Sequence, residues 1–169
     1  MSNIISIPVK PYIKKWLMET HMLFPLDVSE DNDICRFIFR HVSLCIVPEN
    51  DIIRMIKENK YDESIDLLLP TDASSNCSIS VYNTIKINTH LVQLFNRSFY
   101  EYLHERCNKR NDIKNNIFDF MEFFEITDDD IDYDSLRKKY FRYRRKLKSQ
   151  PKIKHKKIIQ NESTLSLFN

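Results

Sequence analysis

The chain contains no glycine among its 169 residues. Glycine is the residue that most readily adopts the left-handed backbone conformation of tight turns and helix ends. Turns and helix ends must therefore use other residues, chiefly asparagine and aspartate. The absence of glycine also excludes glycine-dependent phosphate loops, the dinucleotide-binding fingerprint and the nucleophile elbow of α/β-hydrolases.

Charge is strongly polarised along the chain, although the net value is only +2. Residues 1–136 carry 14 Lys or Arg and 23 Asp or Glu, a net charge of −9. Residues 137–169 carry 12 Lys or Arg and one acid, a net charge of +11. Such asymmetry is typical of proteins with an anionic partner, such as nucleic acid or a membrane surface.

The spacing of apolar residues predicts a predominantly helical α+β domain. Helical stripes occur at residues 11–23, 30–46, 52–59, 89–107, 112–124 and 133–148. Alternating apolar residues at 65–69 and 77–87 predict a small β-hairpin, with residues 4–11 as a candidate third strand. Pro8 would confine that third strand to a sheet edge, and Thr89 is the expected N-cap of the longest helix.

Residues 1–148 are predicted to form one globular domain, and residues 149–169 a flexible basic tail. The apolar fraction of 42% is sufficient for a core. We expect neither a membrane span nor a signal peptide. The four cysteines lack CxxC spacing, which favours reduced thiols in a cytoplasmic protein.

The last predicted helix combines an apolar stripe with a broad cationic surface. Asp132 can cap it, and the stripe recurs every three or four residues at Tyr133, Leu136, Tyr140, Tyr143 and Leu147. Tyr140 and Tyr143 are expected to anchor the helix rather than to stack on bases. The candidate phosphate-binding residues lie mostly off the stripe: Arg137, Lys138, Arg142, Arg144, Arg145 and Lys148. A solvated helix with no anionic partner is the alternative.

The last two predicted helices have helix-turn-helix-like spacing. Glu125 stands in the turn, where glycine is usual, and the acids 128–130 would lie where such a helix normally contacts bases. Either the helix contacts DNA with its middle and C-terminal half, or the acids shield it until DNA displaces them. A simple helical hairpin is the alternative.

We expect no metal, no cofactor and no enzyme activity. The spacing of Asp128, Asp130 and Asp132 resembles the start of an EF-hand loop, but Tyr133 and Lys139 replace the required glycine and glutamate. No second pair completes a zinc site with His104 and Cys107, and no local signature identifies a nucleophile.

Residues 164–168, TLSLF, resemble the bacterial sliding-clamp-binding peptide, whose usual pattern is Gln-Leu-Ser/Asp-Leu-Phe. Four of the five positions match, and Thr164 stands where glutamine is typical. The resemblance implies a sliding clamp as partner, bound by Leu165, Ser166, Leu167 and Phe168, with the apolar side chains as anchors. The alternative is an apolar segment that packs back on the domain.

Two further segments, Pro11–Lys15 (PYIKK) and Asp134–Arg144 (DSLRKKYFRYR), resemble small proteins of Bacteroides phages and mobile elements. This resemblance implies a phage or mobile-element origin and a host bacterial cytoplasm. It implies no defined activity.

The expected function is that of a non-enzymatic nucleic-acid-binding accessory protein, with DNA favoured over RNA. The basic helix would contact phosphates largely without sequence selectivity, and the tail would bind the clamp. The alternative is a protein-interaction or virion-associated structural module whose basic helix binds an acidic protein partner. Salt distinguishes the two, because phosphate binding weakens steeply as salt rises. The sequence leaves the oligomeric state open.

Overall fold

The computed structural model describes residues 3–20, 24–27, 33–44, 48–70, 77–106 and 112–149. In chain order the elements are β1 (Asn3–Val9), α1 (Pro11–Glu19), β2 (Leu26–Asp27), α2 (Asp33–Phe39), β3 (Ser43–Leu44), α3 (Glu49–Asn59), β4 (Glu63–Leu69), β5 (Cys77–Ser78), α4 (Val81–Arg106), α5 (Asp112–Phe123) and α6 (Tyr133–Ser149). The predicted class, a predominantly helical α+β domain, is confirmed. Within these ranges, every helix is too short or too polar to cross a bilayer.

A three-stranded sheet has the order β1-β4-β2. Strand β1 runs antiparallel to β4, with Ile7 opposite Ile65, and β2 runs parallel to β4. The alternating residues Ile65, Leu67 and Leu69 are buried, as their period of two predicts. Strand β1 lies at the edge, the position that its proline requires.

The prediction that residues 77–87 form the second strand of a hairpin is wrong. Only Cys77–Ser78 is extended, and it pairs with β3 rather than with β4. Helix α4 already begins at Val81, because Ser80 caps it: the Asn83 amide donates to the Ser80 hydroxyl oxygen over 3.2 Å. Thr89, the predicted cap, lies inside this helix and donates its hydroxyl to the Ile85 carbonyl.

Two other helices are shorter than predicted. Helix α1 ends at Glu19, where the Thr20 hydroxyl donates to the Trp16 carbonyl over 3.0 Å. Helix α2 ends at Phe39, and Ser43–Leu44 forms a strand where the prediction extended the helix to residue 46. The remaining predicted parts of both helices lie outside the described residues.

Two helix ends show how a chain without glycine closes its helices. Lys60 and Glu125 adopt φ angles of 54° and 52°, in the left-handed region where glycine is usual. After each, the next amide donates back to the helix: Tyr61 to the Ile56 carbonyl, and Ile126 to the Met121 carbonyl. A side chain in this conformation costs about 1 kcal/mol, which these hydrogen bonds and the burial of the following residue offset.

The core is built around α4. Phe95 and Phe99 of α4 lie 5.8 and 5.0 Å from the Phe120 ring of α5, and the Phe99 ring lies 6.3 Å from Tyr140 of α6. All four rings are almost fully buried. The sheet packs beneath these helices through Ile7 and its neighbours. This arrangement holds α6 on the surface with one face inward.

Candidate nucleic-acid interface

Helix α6 is anchored by the stripe that the sequence predicts. Leu136 and Tyr140 are buried, at 0% and 3% exposure, and each contributes about 1.5–3 kcal/mol on burial. Tyr133 stacks on Phe118 at 4.8 Å, and Tyr143 is half-buried. Leu147, the last predicted member, is 43% exposed, so the anchored part of the helix ends before it.

The N-terminus of α6 is fixed by Asp132, as predicted. Its carboxylate accepts the Ser135 amide at 2.8 Å and the Ser135 hydroxyl at 2.7 Å. These hydrogen bonds lower the pKa of Asp132. The cap satisfies an otherwise free helix amide and places a negative charge at the positive end of the helix.

Asp130, one of the acidic residues before α6, holds the connection in place. Asp130 accepts hydrogen bonds from the Lys15 ammonium at 2.6 Å and from the Thr127 amide at 2.8 Å. Among the described residues, no group of three or more His, Cys, Asp or Glu side chains is placed to bind a metal ion. Cys107, the candidate zinc partner of His104, lies outside the described residues.

The connection between α5 and α6 comprises residues 124–132. This is longer than the turn of about three or four residues that joins the helices of a helix-turn-helix motif. The acids 128–130 therefore precede α6, and Asp134 is the one acid in its first turn. All cations of α6 follow these acids, in its middle and C-terminal half.

Helix α6 carries eight Lys or Arg residues and one acid, a net charge of +7. Arg137 forms an ion pair with that acid, Asp134, at 3.6 Å. Lys139 donates a hydrogen bond to Asn96. The charged groups of the other six cations of α6 form no ion pair or hydrogen bond within the described part of the chain: Lys138, Arg142, Arg144, Arg145, Lys146 and Lys148.

The predicted phosphate-binding residues cover the outer face of α6 and reach both of its flanks. Five of the six are exposed, and Arg144 is half-buried with its guanidinium 5.8 Å from the Tyr140 ring centre. Arg137 lies over the Phe141 ring at 5.5 Å. A small hollow of about 230 Å³ on one flank is lined by Phe141, Arg144, Arg145 and Lys148.

On the opposite flank, α6 and α4 enclose a larger cleft of about 520 Å³. We call it the tyrosine cleft; its lining residues are Tyr100, Lys139, Arg142, Tyr143, Arg145, Lys146 and Ser149. The Tyr100 and Tyr143 rings are parallel, 4.2 Å apart and inclined by 6°. Burial, followed by the neighbouring Tyr143, raises the pKa of Tyr100, and Arg142 opposes this rise.

Five residues that line this cleft are absent from the predicted phosphate-binding site: Tyr100, Lys139, Tyr143, Lys146 and Ser149. Lys139 and Lys146 flank Arg142 at spacings of three and four residues, a signal that the sequence does contain. Tyr100 comes from α4, and no local pattern in the sequence connects it with the basic helix. Its place in the cleft depends on how the two helices pack.

Comparisons of the chain with protein-family models, with curated proteins and with solved structures gave no match. The interface is therefore interpreted from its own geometry and charge. The predicted clamp-binding residues Leu165, Ser166, Leu167 and Phe168 lie outside the described residues.

Proposed function

We propose that this protein binds nucleic acid through α6, with DNA as the favoured partner, as a non-enzymatic accessory protein. The observation that carries the proposal is a set of six cations that pair with no acid among the described residues, on a helix whose other face is anchored in the core. A rigidly held row of cations matches a row of phosphates without the entropy cost of ordering the helix on binding.

The size of α6 is adequate for this role. Its 17 residues extend about 25 Å, a length over which a nucleic-acid backbone presents several phosphates. Bringing these cations close together in the folded state costs repulsion, which an anionic partner relieves. Phosphate contacts carry no sequence information directly, so we expect binding with little sequence preference.

The position of the acids favours one of the two modes of contact that the sequence left open. Asp130 and Asp132 are engaged in hydrogen bonds that hold the connection and the helix start. Their displacement by DNA would break those bonds. We therefore propose contact through the middle and C-terminal half of α6, with the acids left in place.

The test uses matched charge variants of the full chain. One variant replaces three cations of α6 with alanine, at Lys138, Arg145 and Lys148. The control replaces three exposed lysines outside α6, at Lys57, Lys86 and Lys114. Both variants lose the same charge. Fluorescence anisotropy with labelled DNA should show at least tenfold weaker binding for the first and a smaller loss for the control. Equal losses would contradict the proposal.

Truncation before Tyr140 would be a poor test, because this side chain is 3% exposed and packs on Phe99. Its removal would open the core, and a loss of binding would then report unfolding. Substitutions on the exposed surface avoid this.

A sliding clamp is proposed as a second partner, on the strength of the TLSLF segment alone. Simultaneous binding of the clamp and DNA would raise the effective concentration of each site. The proposal places the protein in the cytoplasm of a host bacterium. Purified clamp should capture the wild-type protein and the Ile158→Ala control in a pull-down. It should fail to capture the Phe168→Ala variant.

An acidic protein partner is the competing outcome for the same surface. It would be indicated if DNA fails to bind even at low salt while an acidic polypeptide such as polyglutamate does bind.

A further inference from the structure

The tyrosine cleft offers two kinds of contact in one place. The Tyr100–Tyr143 pair supplies aromatic surface, and cations from α6 surround it on three successive turns. Among the residues that the structure describes, those that line the cleft include no carboxylate. Its volume of about 520 Å³ lies within the range of about 300–1,000 Å³ of small-molecule sites.

Lys139 distinguishes this cleft from an ordinary cationic surface. Its ammonium group is half-buried and donates to the neutral side-chain oxygen of Asn96 at 3.3 Å. It also lies 5.7 Å from the centre of the Tyr12 ring, and within the described residues it forms no ion pair with a carboxylate. Burial, with a smaller contribution from nearby Lys10, lowers the pKa of Lys139. An anion in the cleft would reduce the cost of burying this charge.

We propose that the tyrosine cleft holds one unpaired nucleotide of a single-stranded nucleic acid, with the base against the tyrosine pair and the phosphate among Arg142, Lys146 and Lys139. Aromatic side chains flanked by cations are the usual elements of single-strand binding. The inference rests on the proposed function, because the neighbouring phosphates would lie along α6.

A consequence is that single-stranded nucleic acid binds more tightly than duplex. In a duplex the bases are paired and stacked, so they cannot enter a cleft beside the helix without unstacking. The cations of α6 attract the phosphates of both forms, whereas the aromatic surface of the cleft can receive a base only from a single strand.

The decisive variant is Tyr100→Leu. Because Tyr100 belongs to α4, this substitution removes no cation from α6. Anisotropy of the full-length protein would be measured with a labelled oligothymidylate and with a duplex of equal length. We expect single-strand affinity to fall at least fivefold, the lower end of what base–aromatic stacking contributes, with duplex affinity unchanged. Tyr100→Phe should retain single-strand affinity, since it keeps the ring.

A second pair of variants gives an answer even if Tyr100→Leu does not fold. Lys146→Ala removes a cation that lines the tyrosine cleft, and Lys148→Ala removes one from the other flank. We expect Lys146→Ala to weaken single-strand binding more than Lys148→Ala, and both to weaken duplex binding equally. Equal effects on the single strand would overturn the inference.

The outcomes separate the inference from the proposed function. If duplex and single strand bind equally and Tyr100→Leu changes neither, the cleft has no role and α6 remains the nucleic-acid site. If neither form binds, both proposals fail. Thymidine monophosphate serves as the remaining probe: affinity equal to that of the oligonucleotide would assign the cleft to a free nucleotide and overturn the single-strand assignment.

Discussion

Asp130 is expected to contribute most of the stability of the connection that positions α6. Its side chain is 8% exposed, and it binds the Lys15 ammonium of α1 at 2.6 Å. It also accepts the Thr127 amide at 2.8 Å and the Thr127 hydroxyl at 3.0 Å. We predict that Asp130→Ala destabilises the protein substantially, because it removes all three interactions.

The magnitude follows from the groups left behind. Thr127 is exposed, so its amide and hydroxyl can bond to water instead. Lys15 keeps its hydrogen bond to the Glu125 carbonyl at 2.9 Å. The main loss is therefore one charge-assisted hydrogen bond, which contributes about 1.5–3 kcal/mol. For a chain of this length, a loss near 2 kcal/mol lowers Tm by about 4–8 °C.

The pH dependence gives an independent check. Burial would raise the pKa of the Asp130 carboxyl, but the hydrogen bonds from Lys15 and Thr127 outweigh burial and lower it. A carboxyl whose pKa is lowered on folding stabilises the folded state at any pH above its pKa in the unfolded chain, about 3.9. This stabilisation is lost as the pH falls through the pKa of the folded state. The difference between wild type and Asp130→Ala should therefore narrow below about pH 4.

Thermal denaturation followed by circular dichroism at pH 7 and pH 3 would measure both effects. Asp129→Ala is the matched control, since Asp129 is an exposed acid in the same connection. A Tm for Asp130→Ala within about 1 °C of the Asp129→Ala value at pH 7 would refute the reasoning.

Three further predictions concern the fold and are checked by equilibrium denaturation. Lys60→Gly should stabilise the protein by about 0.5–1 kcal/mol, because φ at this position is 54° and glycine adopts that angle without a steric cost. Lys57→Gly is the control: it lies inside α3 and should destabilise the protein by a similar amount. Tyr140→Ala should cost about 3 kcal/mol, and Leu147→Ala, at an exposed position, below about 0.5 kcal/mol. Burial, and to a smaller extent repulsion from His41, lowers the pKa of His90 below its ordinary value of 6.5. The stability of the protein should therefore fall as the pH drops through about 6.5, because the unfolded chain then binds the proton more readily. His90→Gln should weaken this pH dependence.

The long, strongly periodic helices could be predicted from the sequence. The α6 stripe and its Asp132 cap lie within a few residues of one another, so the signal is local. The apolar stripe predicted at residues 112–124 is local in the same way, and Ile113, Ile117 and Phe120 of α5 are buried. The end of α6 differs by one residue, because it runs to Ser149.

The start of α4 could not be predicted from periodicity. Residues 77–87 alternate as a strand does, but Thr84, Ile87 and Asn88 are also spaced for one face of a helix, and these three are buried. Ser80 decides between the two, since its cap starts the helix. The third strand predicted at residues 4–11 is present as β1, but its direct pairing with β4 was missed because the two strands are distant in sequence.

The cationic half of the candidate site was visible in the sequence, whereas its cleft was not. Charge and spacing predict six exposed cations between Arg137 and Lys148 of α6. The structure places five of the six on the surface. The cleft requires Tyr100, which reaches Tyr143 only through the packing of α4 against α6.

The salt dependence of DNA binding tests the central claim most directly. Six cations of α6 form no ion pair with any described residue. If all six contact phosphates, the slope of log K against log salt should approach about −5 on duplex DNA, since each contact contributes about −0.9. Removing Lys138, Arg145 and Lys148 should reduce the slope by about 3. A slope near zero, or no binding at low salt, would contradict the account.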